Sequence, residues 1–470
     1  MGSASGRSRT RIVVVGGGPG GYEAALVAAQ LGAEVTVVDR DGLGGSAVLT
    51  DCVPSKTLIA VAEVITLTSE SGELGVRLAD GGSPAGRVRV DLGEVNRRVK
   101  ALALAQSDDI AARLDKEGVR VVHGLGRLDG TQRVVAAVPG GEEVLDADVV
   151  LLATGAHPRT LPSAVPDGER ILTWEQLYDL DALPERLVVV GSGVTGAEFA
   201  GAYNALGSEV TLVSSREHVL PGEDADAARV VEEVFRRRGM TVLSRSRATG
   251  VQRTADGVLV TLEDGRTVEG THCLMAVGSI PNTSGIGLEE AGVELDRGGF
   301  VQVDGVSRTT ARGVYAAGDC TGVLMLASVA AMQGRIAMWH SLGDAVAPLE
   351  LRTVSSNVFT DPEIATVGYS QRDAEEGRID AAVVKLPLAT NARAKMLGFS
   401  DGFVKLLCRP GSGSILGGVV VAPRASELIH PLALACEQRL TVDQVAHTFT
   451  VYPSLSGSLA EAARQLHITS

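Results

Sequence analysis

The residues best suited by type and spacing to do chemistry lie in two glycine-rich turns, Gly16-Gly17-Gly18-Pro19-Gly20-Gly21 and Gly191-Ser192-Gly193-Val194-Thr195-Gly196. In each, the first glycine (Gly16, Gly191) permits a tight turn after a strand. The second (Gly18, Gly193) lets the backbone approach a pyrophosphate, and the third (Gly21, Gly196) lets the following helix pack closely on the sheet. The helix start adds unpaired N–H groups and the positive end of its dipole, so both turns suit dinucleotide phosphates. Asp39 ends the strand that follows the first helix and is placed to accept hydrogen bonds from a ribose diol. At the matching position of the second turn stands Ser214, followed by Ser215 and Arg216. A carboxylate there would repel a 2′-phosphate and these residues would not, so NADPH is expected to be accepted, with NADH also possible. The competing reading of Arg216 is a solvated loop cation, since arginines are mostly exposed.

Such turns need a strand before and a helix after. Arg11–Val15 is a short apolar run, an Ala-rich helical segment reaches Leu31, and the strand Glu34–Val38 ends at Asp39, a βαβ arrangement. The pattern recurs as Leu187–Val190, a helix to Leu206 and the strand Glu209–Val213. Val149–Leu152, running into Ala153-Thr154-Gly155, reads as a strand leaving the first domain, and Val277–Asn282 as the return crossing. One nucleotide-binding domain is therefore expected inside the other. Residues 61–115 read as a helix-rich excursion with a polar, Gly-containing break at Asp80–Gly86. From about Leu351 the strand-like runs Thr353–Phe359, Phe403–Cys408 and Ile415–Val421 precede the helical segments Ser426–Glu437 and Thr441–Ala446, an α+β mixture.

Composition bounds the function. A chain of 470 residues is too long for one core and should form two or three domains. Its net charge of -14 argues against nucleic acid or an anionic membrane surface as partner. No run of eighteen apolar residues suggests a membrane-spanning helix. Residues 1–10 read as a flexible leader, because Ile12–Val15 runs straight into the first glycine turn and leaves no apolar signal core. Five dispersed cysteines (Cys52, Cys273, Cys320, Cys408, Cys436) show neither metal-ligand spacing nor a disulfide framework, so a reducing cytoplasm is expected and no metal.

The segment Gly44-Gly45-Ser46-Ala47-Val48-Leu49-Thr50-Asp51-Cys52-Val53-Pro54-Ser55-Lys56 then takes its place. With the two glycine turns, Ala153-Thr154-Gly155, Ala197-Glu198-Phe199 and Thr309–Asp319 in this order, the chain resembles the pyridine nucleotide–disulfide oxidoreductases, specifically the lipoamide dehydrogenase and glutathione reductase group. The likeness covers nearly the whole length. It implies an α/β fold of two dinucleotide-binding, Rossmann-like domains, with the NAD(P) domain (159–280) inserted in the FAD domain (1–158 and 281–350). A C-terminal α+β dimerisation domain (351–470) would complete a homodimer. FAD would be held by Gly16, Gly18, Gly21, Asp39, Ser46, Lys56, Gly126, Thr154, Gly155, Asp319, Leu326 and Ala327, with Asp319 on the ribityl chain. The nicotinamide nucleotide would be held by Gly191, Gly193, Gly196, Ser214, Ser215, Arg216 and Gly278. The family pairs a lysine with a glutamate beside flavin N5, here Lys56 and Glu198, and such a pair can stabilise the reduced anionic ring.

The departures narrow the function. The family's two cysteines, five positions apart, are here Ala47 and Cys52, so no active-site disulfide can form. Its His–Glu pair maps to Tyr452 and Gly457, and a phenol is not the group titrating near neutrality that protonating a leaving thiolate requires. Three of four groups required for dithiol chemistry are absent. The aromatic covering the nicotinamide face is replaced by Val194, which opens that face. What remains resembles the NAD(P)H:quinone reductases of this group: hydride passes from NAD(P)H to FAD, then two electrons pass to a quinone or similar diffusible acceptor. Tyr452 either contacts that acceptor or only fills the space of the histidine. Cys52 is either an inherited thiol packed beneath the flavin or a single redox cysteine. Cys320 and His447 receive no role. A soluble transhydrogenase is the runner-up, although there the first cysteine position is usually the retained one. A residual disulfide reductase comes third. A non-catalytic flavoprotein scaffold would not need both nucleotide turns together with Lys56 and Glu198.

Overall fold

The computed structural model describes residues 9–467. Of the leader expected over residues 1–10, all but Arg9 and Thr10 lie outside the described residues. The protein is mixed α/β and divides into two compact units, one of residues 9–55, 97–159 and 278–350, the other of residues 56–96, 160–277 and 351–467.

In the first unit, β-branched runs form a five-stranded parallel sheet in the order Val314–Ala316, Val149–Leu152, Arg11–Val15, Glu34–Asp39, Arg120–His123. Ile12 is in register with Val35 on one side and Val149 on the other. Successive side chains of a strand face opposite ways. Ile12 and Val14 therefore share a core with Ala24, Ala25 and Ala28 of the helix Pro19–Gln30. Val13 and Val15 instead share one with Leu128, Val134 and Leu145 of an antiparallel sheet built from Leu125–Leu128, Arg133–Val138 and Gly141–Asp146. That small sheet was not read from the sequence. The helix Ala327–Ser341 crosses Pro19–Gln30 so closely that a Cβ on Gly334 would come 2.1 Å from the Gly20 carbonyl oxygen. The exit strand Ala156–Pro158 and the return strand Ser279–Pro281 pair antiparallel.

The second unit contains a parallel sheet in the order Thr241–Leu243, Glu209–Val213, Arg186–Val190, His272–Met275, Ile171–Leu172. It also holds the antiparallel strands Ala248–Arg253, Val258–Leu262 and Thr267–Gly270. An all-antiparallel sheet follows, in the order Ser355–Val358, Glu363–Gly368, Ile415–Ala422, Phe403–Cys408, Ala382–Pro387. Its core includes Leu432 and Ala435 of the helix His430–Glu437 and Leu459, Ala462 and Ala463 of the helix Gly457–Gln465. The helix-rich excursion consists of the helices Cys52–Glu70 and Leu92–Lys116, with the polar break in the non-helical stretch between them. Residues 56–96 of it group with the second unit.

Candidate functional site

In the first unit, sterics dictate the glycines of the turn after Arg11–Val15. Gly16 sits at φ +104°, and a Cβ there would come 2.2 Å from the Ala153 carbonyl oxygen. Gly21 is equally constrained, since its Cβ would meet the Gly16 oxygen at 1.9 Å. Gly18 differs: its φ is an ordinary -67°, and the nearest atom to a Cβ would be the Gly45 Cα at 4.0 Å. The fold does not need a glycine at 18, so the floor beside the helix start stays open, a feature that close approach of a dinucleotide phosphate requires.

The segment around Gly45 closes the same corner. Gly44 donates its N–H to the Gly17 carbonyl at 2.8 Å, and Ser46 is exposed in the short helix Gly45–Leu49 that also carries Ala47. Asp39 spends much of its carboxylate on this loop: Oδ2 accepts from Gly17 N at 2.6 Å, and Oδ1 from Asp41 N at 2.9 Å and Gly42 N at 2.6 Å. A carboxylate has about four acceptor positions, so the ribose role expected of Asp39 has the remaining one on Oδ2. Asp39 organises the turn before it can meet any ligand.

Thr154 and Gly155 lie where the chain leaves the unit's sheet, and Asn282 ties them: its side-chain amide donates to the Thr154 carbonyl at 2.8 Å and its N–H to the Gly155 carbonyl at 3.0 Å. Asp319 follows the strand Val314–Ala316 in a 3-10 turn, Asp319–Thr321. Burial, with the nearby Asp51 charge adding to it, pushes its carboxyl up to about 6. None of the described residues donates a hydrogen bond to that carboxylate. A half-buried acid without donors fits a site made for ligand hydroxyls. Leu326 and Ala327 stand at the start of the helix Ala327–Ser341. Gly126 is different: it is buried in the strand Leu125–Leu128, where a Cβ would crowd Val15 at 2.9 Å, so packing explains this glycine and its missing side chain is no sign of a cofactor contact.

The second unit repeats the glycine logic. A Cβ on Gly191 would come 2.1 Å from the Ala276 oxygen, one on Gly196 1.9 Å from the Gly191 oxygen, and one on Gly193 would meet nothing within 4 Å. The serines need correction. Ser214 is fully buried, and its hydroxyl is spent on Ser192 Oγ at 2.7 Å and on the backbone of Arg216 and His218. It shapes the turn and cannot face a 2′-phosphate. Ser215 and Arg216 are exposed. Gly278, expected with this site, belongs to the first unit, where its carbonyl accepts from Arg159 N. Val194, 42% exposed, opens the helix Val194–Leu206 and covers little.

On that helix Glu198 is 4% exposed, yet well satisfied. Its Oε2 takes Lys56 Nζ at 2.9 Å and its Oε1 takes the Phe359 N–H at 2.8 Å. The Lys56 ammonium also stands 4.8 Å from the centre of the Phe359 ring. Lys56 lies one helical turn after Cys52. Tyr452 is 86% exposed beside Phe449 at 102% and Val451 at 78%, and Gly457 begins a helix with no acid in its place. The described residues contain no disulfide and no group of His, Cys, Asp and Glu able to hold a metal. None of their helices is long and apolar enough to cross a membrane.

Sequence reading missed Asp51, Phe359, Gln333 and Lys405. Gln333 and Lys405 each left a signal, a lone polar residue inside an apolar run; Lys405 sits 2% exposed within Phe403–Cys408 and binds Asp224, Asp226 and Gln371 at 2.7–3.0 Å. Phe359 meets Glu198 through its backbone, which no side-chain pattern announces.

Two nucleotide turns, a Lys–Glu pair and an interrupted thiol segment on a doubly wound frame define a class of flavoprotein oxidoreductases, and comparison agrees. Residues 10–334 match the family model for pyridine nucleotide-disulphide oxidoreductases, and residues 354–463 match that family's dimerisation domain. The chain belongs to this family. It is 58% identical over 467 residues to an "NAD(P)H dehydrogenase (quinone)" of Mycobacterium tuberculosis strain H37Rv, covering 97% of this chain and 94% of the relative. It is 34% identical to a dihydrolipoyl dehydrogenase of Chlorobaculum tepidum, covering 96% of each. The crystal structure of LpdA from Mycobacterium tuberculosis superposes with a TM-score of 0.93 at 57% identity, covering 98% of this chain and 100% of that one.

Proposed function

We propose that this protein is an FAD-dependent NAD(P)H:quinone oxidoreductase working as a homodimer without a redox disulfide. The observation that carries the reading is the coexistence of two nucleotide turns, each with an open floor at its middle glycine, and a thiol segment reduced to Ala47 and Cys52. The 58% identical relative supports quinone as the acceptor class. Bound FAD would supply a carrier that takes hydride from NAD(P)H and yields two electrons to the acceptor.

The chain's own residues do the rest. Gly16, Gly18 and Gly21 receive the FAD pyrophosphate, Asp39 and Asp319 offer acceptors to its hydroxyls, and Ser46, Thr154, Gly155, Leu326 and Ala327 line its course. Gly191, Gly193 and Gly196 receive the nicotinamide nucleotide, with Arg216 and Ser215 open to a 2′-phosphate. Lys56, held by Glu198, keeps a positive charge in a fixed place. With no second thiol and no histidine at 452, no residue can relay electrons to a disulfide. The exposed Phe449, Val451 and Tyr452 support a partner subunit covering that edge. We divide the chain into an FAD-binding domain of residues 1–158 and 281–350, an NAD(P)-binding domain of residues 159–280 and a dimerisation domain of residues 351–470, and its cysteine usage supports a cytoplasmic place.

The test is anaerobic. The enzyme is reduced with NADPH, then mixed separately with menadione, a disulfide and NAD⁺ while flavin absorbance is followed. Rapid reoxidation by menadione alone is expected. Rapid reoxidation by the disulfide, or no reduction by either nicotinamide, would overturn the proposal.

A further inference from the structure

We infer that Gln333, on the helix Ala327–Ser341, is a positioning residue for FAD: its buried amide locks the Gly318–Thr321 turn that presents Asp319. The inference rests on the assignment of Asp319 to FAD. Gln333 is 1% exposed in a helix whose buried positions are otherwise apolar or glycine. Burying an amide without partners is costly, so its bonds identify its task. Oε1 accepts the Gly318 N–H at 2.8 Å, and Nε2 lies 3.4 Å from Thr321 Oγ1. Thr321 Oγ1 in turn donates to the Gly318 carbonyl at 2.7 Å. Both polar groups of the Gly318 residue are thus held by two side chains that also bond each other, a closed triangle.

The lock matters because of where Gly318 sits. Its φ of +82° and ψ of -157° fall in a region open essentially to glycine, where the backbone is not held by its own preference. The neighbouring peptide carries Asp319, whose carboxylate is given no donor by the described residues. The helix that supplies Gln333 is itself fixed against the helix of the first glycine turn at Gly20 and Gly334. Gln333 therefore ties the Asp319 turn to the phosphate-binding end of the same unit.

Three holoenzyme variants test this: Gln333→Leu, which keeps shape and removes both bonds; Gln333→Glu, which keeps an acceptor for the Gly318 N–H; and Thr321→Val, which opens the other side of the triangle. FAD release is measured by fluorescence on dilution, and the bound flavin by its visible circular dichroism. Gln333→Leu is expected to weaken FAD retention about 10- to 100-fold and alter the dichroism. Gln333→Glu should recover part of both, and Thr321→Val should weaken retention by roughly tenfold. If Gln333→Leu does not fold, Thr321→Val carries the test. Retention within twofold of the parent in Gln333→Leu, or in Thr321→Val where Gln333→Leu does not fold, would overturn the inference. Asp319→Asn separates it from its premise: unchanged retention and dichroism there would refute the assignment of Asp319 itself, whatever Gln333→Leu does.

Discussion

Removing Lys56 should cost this protein more than removing its partner Glu198, and the reason is the unequal burial of the two. At 2.9 Å and an effective dielectric constant of about 20, Coulomb's law gives an attraction of about 6 kcal/mol, before the loss of hydration is subtracted. Glu198 is 4% exposed, whereas the Lys56 side chain is 31% exposed. Lys56→Met strands a buried carboxylate whose remaining hydrogen bond is the Phe359 N–H, a cost of about 3–5 kcal/mol. Glu198→Gln leaves an ammonium that can turn to water, and the amide still accepts from Phe359, so about 1–2 kcal/mol is expected. The double variant Lys56→Met/Glu198→Gln should lose less than Lys56→Met alone, since no unpaired charge stays behind. Urea unfolding of the four proteins, with far-ultraviolet circular dichroism as readout, gives each term and the coupling. A smaller loss for Lys56→Met than for Glu198→Gln, or strict additivity in the double variant, would refute the reasoning.

Further predictions follow from the same geometry. Gly18→Ala should leave folding stability unchanged or raised by about 0.4–1 kcal/mol while FAD retention falls at least tenfold. Gly16→Ala should destabilise the protein outright, and equal effects of the two in thermal melts and flavin content would contradict the open-floor reading. Arg216→Ala should raise the KM for NADPH about 10- to 100-fold and leave that for NADH alone, as loss of a charged hydrogen bond implies; an unchanged preference removes Arg216 from the site. Lys405→Met should cost about 3–5 kcal/mol in urea unfolding by stranding Asp224. Burial works against ionising Asp226, but Lys405 and Lys385 outweigh it and hold its carboxyl down to about 2. A carboxyl lowered on folding contributes stability above its ordinary range near pH 4 and loses it as pH falls towards about 2. Wild type should lose roughly 1–2 kcal/mol there beyond what Lys405→Met loses, and parallel pH profiles of the two proteins would count against the contribution. Tyr452→Ala should slow quinone turnover if the phenol contacts the acceptor, and full turnover in both Tyr452→Phe and Tyr452→Ala assigns it to space filling.

Much of this protein was legible because its main requirements are local. A tight turn after an apolar run, an open approach to phosphate and a close helix crossing each demand glycine at a set spacing, so Gly16, Gly18, Gly21 and their counterparts at 191, 193 and 196 announce themselves. The strands Arg11–Val15 and Arg186–Val190 were readable as unbroken apolar runs buried on both faces. The short antiparallel strands between Leu125 and Asp146 and between Ala248 and Gly270 were not: the central runs Arg133–Val138 and Val258–Leu262 are apolar, but their flanking strands mix in polar, half-exposed residues that look like loop. The absence of a second thiol at Ala47 and of a histidine at Tyr452 was also plain, since a missing residue type needs no fold to be noticed.

Burial and partnership were decided elsewhere. Ser214 reads as a ligand contact until the sheet turns its hydroxyl inward onto Ser192. Gly126 reads as a cofactor glycine, and only the packed Val15 shows that its strand needs a glycine there in any case. Gln333, Lys405 and Asp319 acquire their character only when distant segments close around them, from residues 15, 181 and 268 positions away. Dihedral preferences are properties of a few neighbouring atoms and can be written into a short stretch of chain. The cost of an unpaired amide, ammonium or carboxylate depends on whatever excludes water from it, and that is known only once the whole chain has folded.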